Sequence, residues 1–276
     1  MSRLFDDAAS EYLRIAPGVL TSMPFTLACW FNSDSLTIDQ ALITLSSEDT
    51  SWNGYWLMAK GTDGGDPVVA RTYSGGAVQQ AATTTGYSAD TWHHACGMFV
   101  ATSDRRAYID GGSKGTDVNA ESGADVDNTC IGAIRYWTNL VVETDSPMSG
   151  RIAEPAIWSC ALTDLEVWLL SRGVPPPLIR PQSLAAYWPL WDTDRDVWNA
   201  RYHMTPFNTP TWANHPPKVL DWWRKYGNRA QTQFALKQFI SRQPYNLSYH
   251  KPQAFVPTGV TRIPRHPAQY NTLAIY

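Results

Sequence analysis

The chain has 276 residues, room for one large domain with an appendage or for two modest ones. Hydrophobic residues reach 43% and charged residues only 17%, so a sizeable core can be buried, yet no apolar run approaches the length of a membrane span, which excludes a spanning helix. The formal net charge of −3 hides a division: residues 218–276 carry nine basic groups against the single acid Asp221, a charge of +8, and leave the rest at −11.

Met1-Ser2-Arg3-Leu4-Phe5-Asp6-Asp7 lacks the apolar stretch of a secretory leader, so none is expected. Short β-rich runs separated by turn clusters then follow: Phe25 to Phe31, Ala41 to Leu45, Gly54 to Ala59, and Pro67 to Tyr73. Gly64-Gly65 and Gly75-Gly76 punctuate them, and thirteen Trp and thirteen Tyr supply the large flat side chains that sheets favour. Such spacing predicts an all-β sandwich. In the run Thr91 to Val100, a strand places Trp92, His94, Cys96 and Met98 on one face and His93, Ala95, Gly97 and Phe99 on the other. Asp110-Gly111 after Ala107-Tyr108-Ile109 predicts a tight hairpin with positive φ.

One helix is expected in this part, opened by the capping box Thr163-Asp164-Leu165-Glu166 and ended by Gly173 and Pro175-Pro176-Pro177. Leu184 to Trp191 reads as a returning strand, Arg201 to Trp212 as the last one, and His215-Pro216-Pro217 as the end of a first domain, 1–217. Residues 218–276 form a basic, aromatic and proline-rich arm, partly helical over 219–242. Over 243–276 it is extended, because prolines at 244, 252, 257, 264 and 267 forbid a regular helix. The widely spaced Cys29, Cys96, Cys130 and Cys160 contain no C-x-x-C pair and are expected to be reduced, with synthesis in a cytosol.

Several stretches together resemble the concanavalin A-like, laminin-G-type domains found in bacterial and phage proteins. The stretches are Phe5 to Leu13, Pro24 to Phe31, Thr91 to Ala95 with Arg106 to Gly111, and Gly150 to Trp158 with Ala161-Leu162-Thr163. They fall in the right order, and the resemblance covers roughly residues 1–215. It implies a jelly-roll β-sandwich, beyond which the sequence adds the extended C-terminal arm, and it allows a structural calcium ion held by scattered oxygens. It does not fix function, since relatives bind sugars, adhere, hydrolyse glycosides or build virions.

Glycosidase chemistry on this fold needs carboxylates clustered along one strand. Glu154 stands alone between Ala153 and Pro155, and Asp192, Asp194 and Asp196 read as a solvated acidic loop, so no catalytic residue is assigned. His93 and His94 point to opposite faces. His94 and Cys96 share one but give two ligands where zinc needs three or four, so His94 reads as a satisfied core histidine and no metal ligand is named. Sugar binding needs aromatic platforms on loops. Trp52, Tyr55, Trp56, Tyr73, Tyr136 and Trp137 are the candidates, against the competing role of packing in a core or at a subunit contact.

In the arm, Trp222, Trp223, Arg224, Lys225, Phe234, Phe239, Tyr245, Tyr249, Arg262 and Arg265 are the candidate partner-binding residues. Their basic groups are too dispersed for a nucleic-acid groove and suit packing on an acidic neighbour. The leading expectation is a non-enzymatic virion protein of a tailed phage. It would decorate the capsid surface and clamp the major capsid protein or copies of itself, trimers included. The runner-up is a carbohydrate-binding adhesin on head or tail, and a glycoside hydrolase is a distant third. No membrane partner is expected.

Overall fold

The computed structural model describes residues 1–49, 52–138 and 141–216. Its first half contains β1 (Ser2–Phe5), β2 (Tyr12–Ile15), β3 (Phe25–Ser33), β4 (Asp39–Ser46), β5 (Gly54–Lys60), β6 (Pro67–Ser74) and β7 (Ala77–Gly86). There follow β8 (Trp92–Ala101), β9 (Asp104–Ile109), β10 (Gly112–Asp117), β11 (Asn128–Ile131), β12 (Ile134–Thr138), β13 (Val141–Asp145) and β14 (Gly150–Trp158). Helix α1 (Asp164–Ser171), two short 3₁₀ turns, β15 (Leu184–Tyr187), β16 (Thr205–Phe207) and β17 (Thr211–Ala213) complete the described chain.

Two antiparallel sheets face each other. One runs β10-β9-β8-β3-β14-β1-β17 with β15 continuing beside β14, the other β16-β2-β11-β4-β5-β6-β7, and β12-β13 forms a separate ribbon. This is the jelly-roll sandwich of the concanavalin A-like type. The unbroken apolar run of β3 is explained by burial on both faces. Phe25, Leu27, Cys29 and Phe31 enter the core between the sheets, while Ala28 faces a second apolar cluster outside. That outer cluster is roofed by α1, whose Val167, Leu169 and Leu170 pack on Cys96, Met98, Tyr108 and Trp158. The predicted faces of β8 hold: Cys96 and Met98 lie outside, Ala95 and Phe99 inside.

Local chemistry accounts for the turns. Asp110 and Gly111 have φ of 52° and 77°, and Ile109 pairs with Gly112, giving the two-residue hairpin that the sequence predicts. Thr163 accepts from the Glu166 amide while Glu166 reaches back to the Thr163 amide, a complete capping box. Gly173 (φ 85°) carries the chain past the helix end, with Gly173 N–H donating to Leu170 O at 2.9 Å and Val174 N–H to Leu169 O at 3.1 Å. The four cysteines are free, and burial pushes the thiols of Cys29, Cys96 and Cys130 well above the ordinary range.

Two expectations need correction. Arg201 to Trp212 supplies two short strands rather than one. Pairing with β2 and β1 respectively, β16 and β17 add to different sheets. The aspartates at 194 and 196 are not a solvated loop. Asp194 makes a two-pronged ion pair with Arg3, which is 7% exposed. Asp196, 1% exposed, accepts from the amides of Tyr187, Trp198, Asn199, Arg201 and Tyr202. A short polar side chain that organises a turn cannot be told by sequence from one that only faces water. The arm lies outside the described residues.

Candidate functional site

On its outer face the seven-stranded sheet carries aromatic rings that the chain draws from distant segments. Trp52 sits in the β4–β5 loop with φ of 49°, an uncommon conformation for a bulky residue. Ser47 N–H donates to Asn53 O at 3.0 Å, and the Asn53 side chain accepts from the Ala124 amide at 3.0 Å, which fixes this turn. Tyr73 comes from β6 and Tyr136 from β12. Trp52 stacks on Tyr136 with ring centres 3.8 Å apart and lies 5.3 Å from Tyr73. Trp56 forms the floor, 6.0 Å from Trp52 and 5.4 Å from Tyr73, with its indole N–H donating to Ser46 Oγ at 3.0 Å. Trp52, Tyr73 and Tyr136 are half-buried, while Trp56 is 1% exposed.

Of the sequence candidates, then, Trp52, Tyr73 and Tyr136 meet in one platform, and Trp56 supports it from beneath. Trp56 lies within β5, as the run Gly54 to Ala59 predicts, and so does Tyr55, which corrects its loop reading; side chains there alternate between faces. Tyr55 points inward, edge-on to Phe25 at 5.0 Å, and its hydroxyl donates to Gly123 O at 2.9 Å. The stretch beginning at Tyr136 is likewise a strand, not a loop: Tyr136 pairs with Glu143 and Trp137 with Val142. The side chain of Trp137 lies outside what the structure describes, as do the candidate arm residues Trp222, Trp223, Arg224, Lys225, Phe234, Phe239, Tyr245, Tyr249, Arg262 and Arg265.

Beside the platform stands a cation that sequence reasoning passed over. Arg71 is paired across strands with Trp56 on one side and Gln80 on the other, and shares its face with Tyr73. Its Nε and one terminal nitrogen both donate to Gln80 Oε1, at 2.9 and 2.6 Å. Burial lowers its pKa, opposed by Asp63, Tyr73 and Asp145. Neighbouring Lys60 is also lowered, first by burial and then by Arg71, but it is held in an ion pair with Asp39. The alternation Val69-x-Arg71-x-Tyr73 could have drawn attention to Arg71, since it puts a guanidinium in line with two apolar side chains.

The groups tested for other chemistry sit elsewhere. Glu154 occupies a bulge in β14 at φ 56° and is 3% exposed. The Tyr187 hydroxyl donates to it, as does the Trp191 indole at 2.9 Å, and His215 Nε2 lies 3.0 Å away. These partners bind the closing segment to the sheet. His94 is a core residue but not a satisfied one: it is 2% exposed, and its Nδ1 has no hydrogen-bond partner among the described residues. Asp7, Asp39 and Asp145 line a groove of about 380 Å³, yet among the described residues no three His, Cys, Asp or Glu group closely enough to hold a metal ion.

Residues 7–168 match the family model described as the concanavalin A-like lectin/glucanases superfamily. Among solved structures, a native heptameric SAP-like pentraxin from Limulus polyphemus superposes with a TM-score of 0.52 at 11% identity, covering 76% of this chain and 93% of that one. A putative carbohydrate binding protein from Bacteroides ovatus gives a TM-score of 0.52 at 19% identity, over 76% of this chain and 58% of that one. At such identities the likeness is one of fold. No curated protein sequence matches the chain.

Proposed function

The chain belongs to the concanavalin A-like lectin/glucanases superfamily, and from that premise we propose that its sandwich is a non-catalytic carbohydrate-binding module. The observation that carries this reading is the half-buried platform of Trp52, Tyr73 and Tyr136. Half-buried aromatic residues can offer the C–H face of a sugar an apolar contact, while neighbouring polar groups take its hydroxyls. Orientation comes from Trp56 beneath and from the β12–β13 ribbon, so little side-chain freedom is lost on binding. The Bacteroides ovatus protein of similar fold, a putative carbohydrate binding protein, supports the same reading.

A glycan array probed with the intact protein, followed by titration of the hits, tests the proposal. Trp52→Ala and Tyr136→Ala are expected to weaken binding at least tenfold, whereas Tyr55→Phe, altered only in the core, keeps it. An empty array would sink the proposal.

The charge division favours a second reading, on where the module works. The +8 arm and the −11 remainder suit a protein whose arm grips an acidic neighbour. In this reading the protein sits on a phage virion surface, its arm clamping the major capsid protein or sibling copies. Quantitative mass spectrometry of purified particles tests it. A ratio near that of the shell protein supports capsid decoration, a handful of copies moves the module to a tail or fibre, and absence from particles ends the virion reading.

A further inference from the structure

Arg71 is a half-buried guanidinium at the border of the aromatic platform, and its known partners do not neutralise it. Gln80, a neutral amide, takes two of its N–H groups through a single oxygen. Among the described residues no carboxylate forms an ion pair with it, although nearby cations are paired: Lys60 of β5 with Asp39, and Arg135 of the β12–β13 ribbon with Glu48. Asp63 and Asp145 act on Arg71 only through longer-range attraction. A guanidinium in partly desolvated surroundings costs free energy until an anion meets it, and its planar fork matches a carboxylate.

Position supplies the other half of the argument. Arg71 lies directly across from Trp56, the floor of the platform, and two residues along the same strand face from Tyr73, one of its walls. That register places Arg71 on the strand face bordering a ring laid against Trp52 and Tyr73. The glutamine matters as well. By holding Nε and one terminal nitrogen it fixes the plane of the guanidinium in advance, without cancelling its charge.

We propose that this site takes a sugar bearing a carboxylate, which Arg71 receives while the sugar ring lies on the Trp52–Tyr73 surface. The inference rests on the carbohydrate-binding reading and narrows it to acidic glycans. A carboxylate on a sugar ring arises from a uronic acid or from a sialic acid, and both present the same group to the fork.

Calorimetric titration of the full chain tests the proposal with two pairs of probes. One pair is an oligogalacturonate and the same oligomer with its carboxyls reduced to hydroxymethyl groups. The other is a sialylated oligosaccharide and its desialylated form. The wild-type protein is expected to bind the acidic member of one pair at least tenfold more tightly, a preference that weakens with added salt, and the pair that responds names the source of the acid. Arg71→Gln should bring the acidic sugar down to the level of the neutral one. Arg71→Lys, which keeps charge but not the fork, should fall between them. Equal affinity of the wild-type protein for acidic and neutral members, with both lost in Trp52→Ala, would overturn the inference while the platform stands. If neither pair binds and the array is also empty, the carbohydrate reading fails and this inference fails with it. The wild-type comparison needs no variant, so a poorly folding Arg71→Gln protein leaves the test intact.

Discussion

His94 shows what a single buried side chain can do to the behaviour of the fold with pH. It is enclosed under α1, edge-on to Trp30 at 5.5 Å, and lines a cavity of about 10 Å³ together with Glu154, Trp158 and Leu170. Burial pushes its pKa down to about 4, against a smaller opposing pull from Asp110. In the unfolded chain the same imidazole titrates near 6.5. The unfolded state therefore binds the proton first, and stability that is complete above pH 6.5 is lost as the pH falls towards 4. At about 1.4 kcal/mol per pH unit, this group alone accounts for roughly 3 kcal/mol across the window. Asp110, Asp164 and Glu166 are held below the usual carboxylate range by their partners, so their losses come at lower pH. Urea unfolding measured from pH 7 to pH 4.5 should show the slope in the wild type and a much flatter profile in His94→Gln. Equal slopes would mean that the imidazole is not the source. Sequence alone identified this residue as core, since it alternates with Cys96 and Met98. What it left out was the missing partner at Nδ1, because satisfaction of a buried polar atom depends on which segments close over it.

At the scale of elements, the features that were legible are those whose cause is local. The Asp110-Gly111 turn and the Thr163–Glu166 box each lie within four consecutive residues, and each has a residue type that the geometry demands. Removing the box should have the ordinary cost of a cap: Thr163→Ala is expected to lower stability by about 1 kcal/mol, read from thermal unfolding. Closure of the sandwich was not legible in the same way. Gly115 of β10 passes so close to β7 that an added Cβ would stand 1.7 Å from the carbonyl oxygen of Ala82. Neither that approach nor the register irregularity beside it has a signature in the run Gly112-Ser113-Lys114-Gly115. A methyl group there cannot be absorbed by a side-chain rotation, since the obstacle is backbone. Gly115→Ala should therefore separate the β10 edge from β7 and destabilise the protein by 1–3 kcal/mol or more. Gly112→Ala, with open space at its Cβ, should be nearly neutral. The aromatic platform was half legible for a related reason. Composition marked its rings, but Trp52, Tyr73 and Tyr136 meet only through the pairing of β5 with β6 and the placement of the β12–β13 ribbon. Tyr55 and Trp56, adjacent in sequence, are parted by the alternation of a strand.

For the molecule as a whole, the question is which part of the chain the sandwich requires. The core between the sheets draws on residues from Phe5 to Met204, and both flanking strands, β16 and β17, are complete by Ala213. Two residues further, His215 Nε2 lies 3.0 Å from the carboxylate of Glu154 and accepts from the Trp191 indole N–H at 2.8 Å, with its side chain fully buried. Arg3 depends on the same closing segment, through its ion pair with Asp194, its hydrogen bond to Pro210 O at 2.7 Å and its place over the ring of Trp212 at 3.7 Å. A chain ended at residue 216 keeps all of these contacts. We expect it to unfold in one cooperative transition with the circular dichroism of a β-sandwich and, if the platform is the binding site, with its glycan affinity intact. A chain ended at residue 210 loses β17, Trp212 and His215 together, leaving the β1 edge unpaired and Glu154 short of a partner while still buried. Breaking a buried polar set in this way costs about 3–5 kcal/mol. The shorter protein should therefore melt far below the longer one in parallel thermal scans. Similar melting of the two would show that the segment from 211 to 216 only decorates a sandwich already closed by β15. A collapse of both would place part of the fold's stability in residues 217–276, and the arm would then have to be treated as a structural component of the body and not only as a grip on a neighbour.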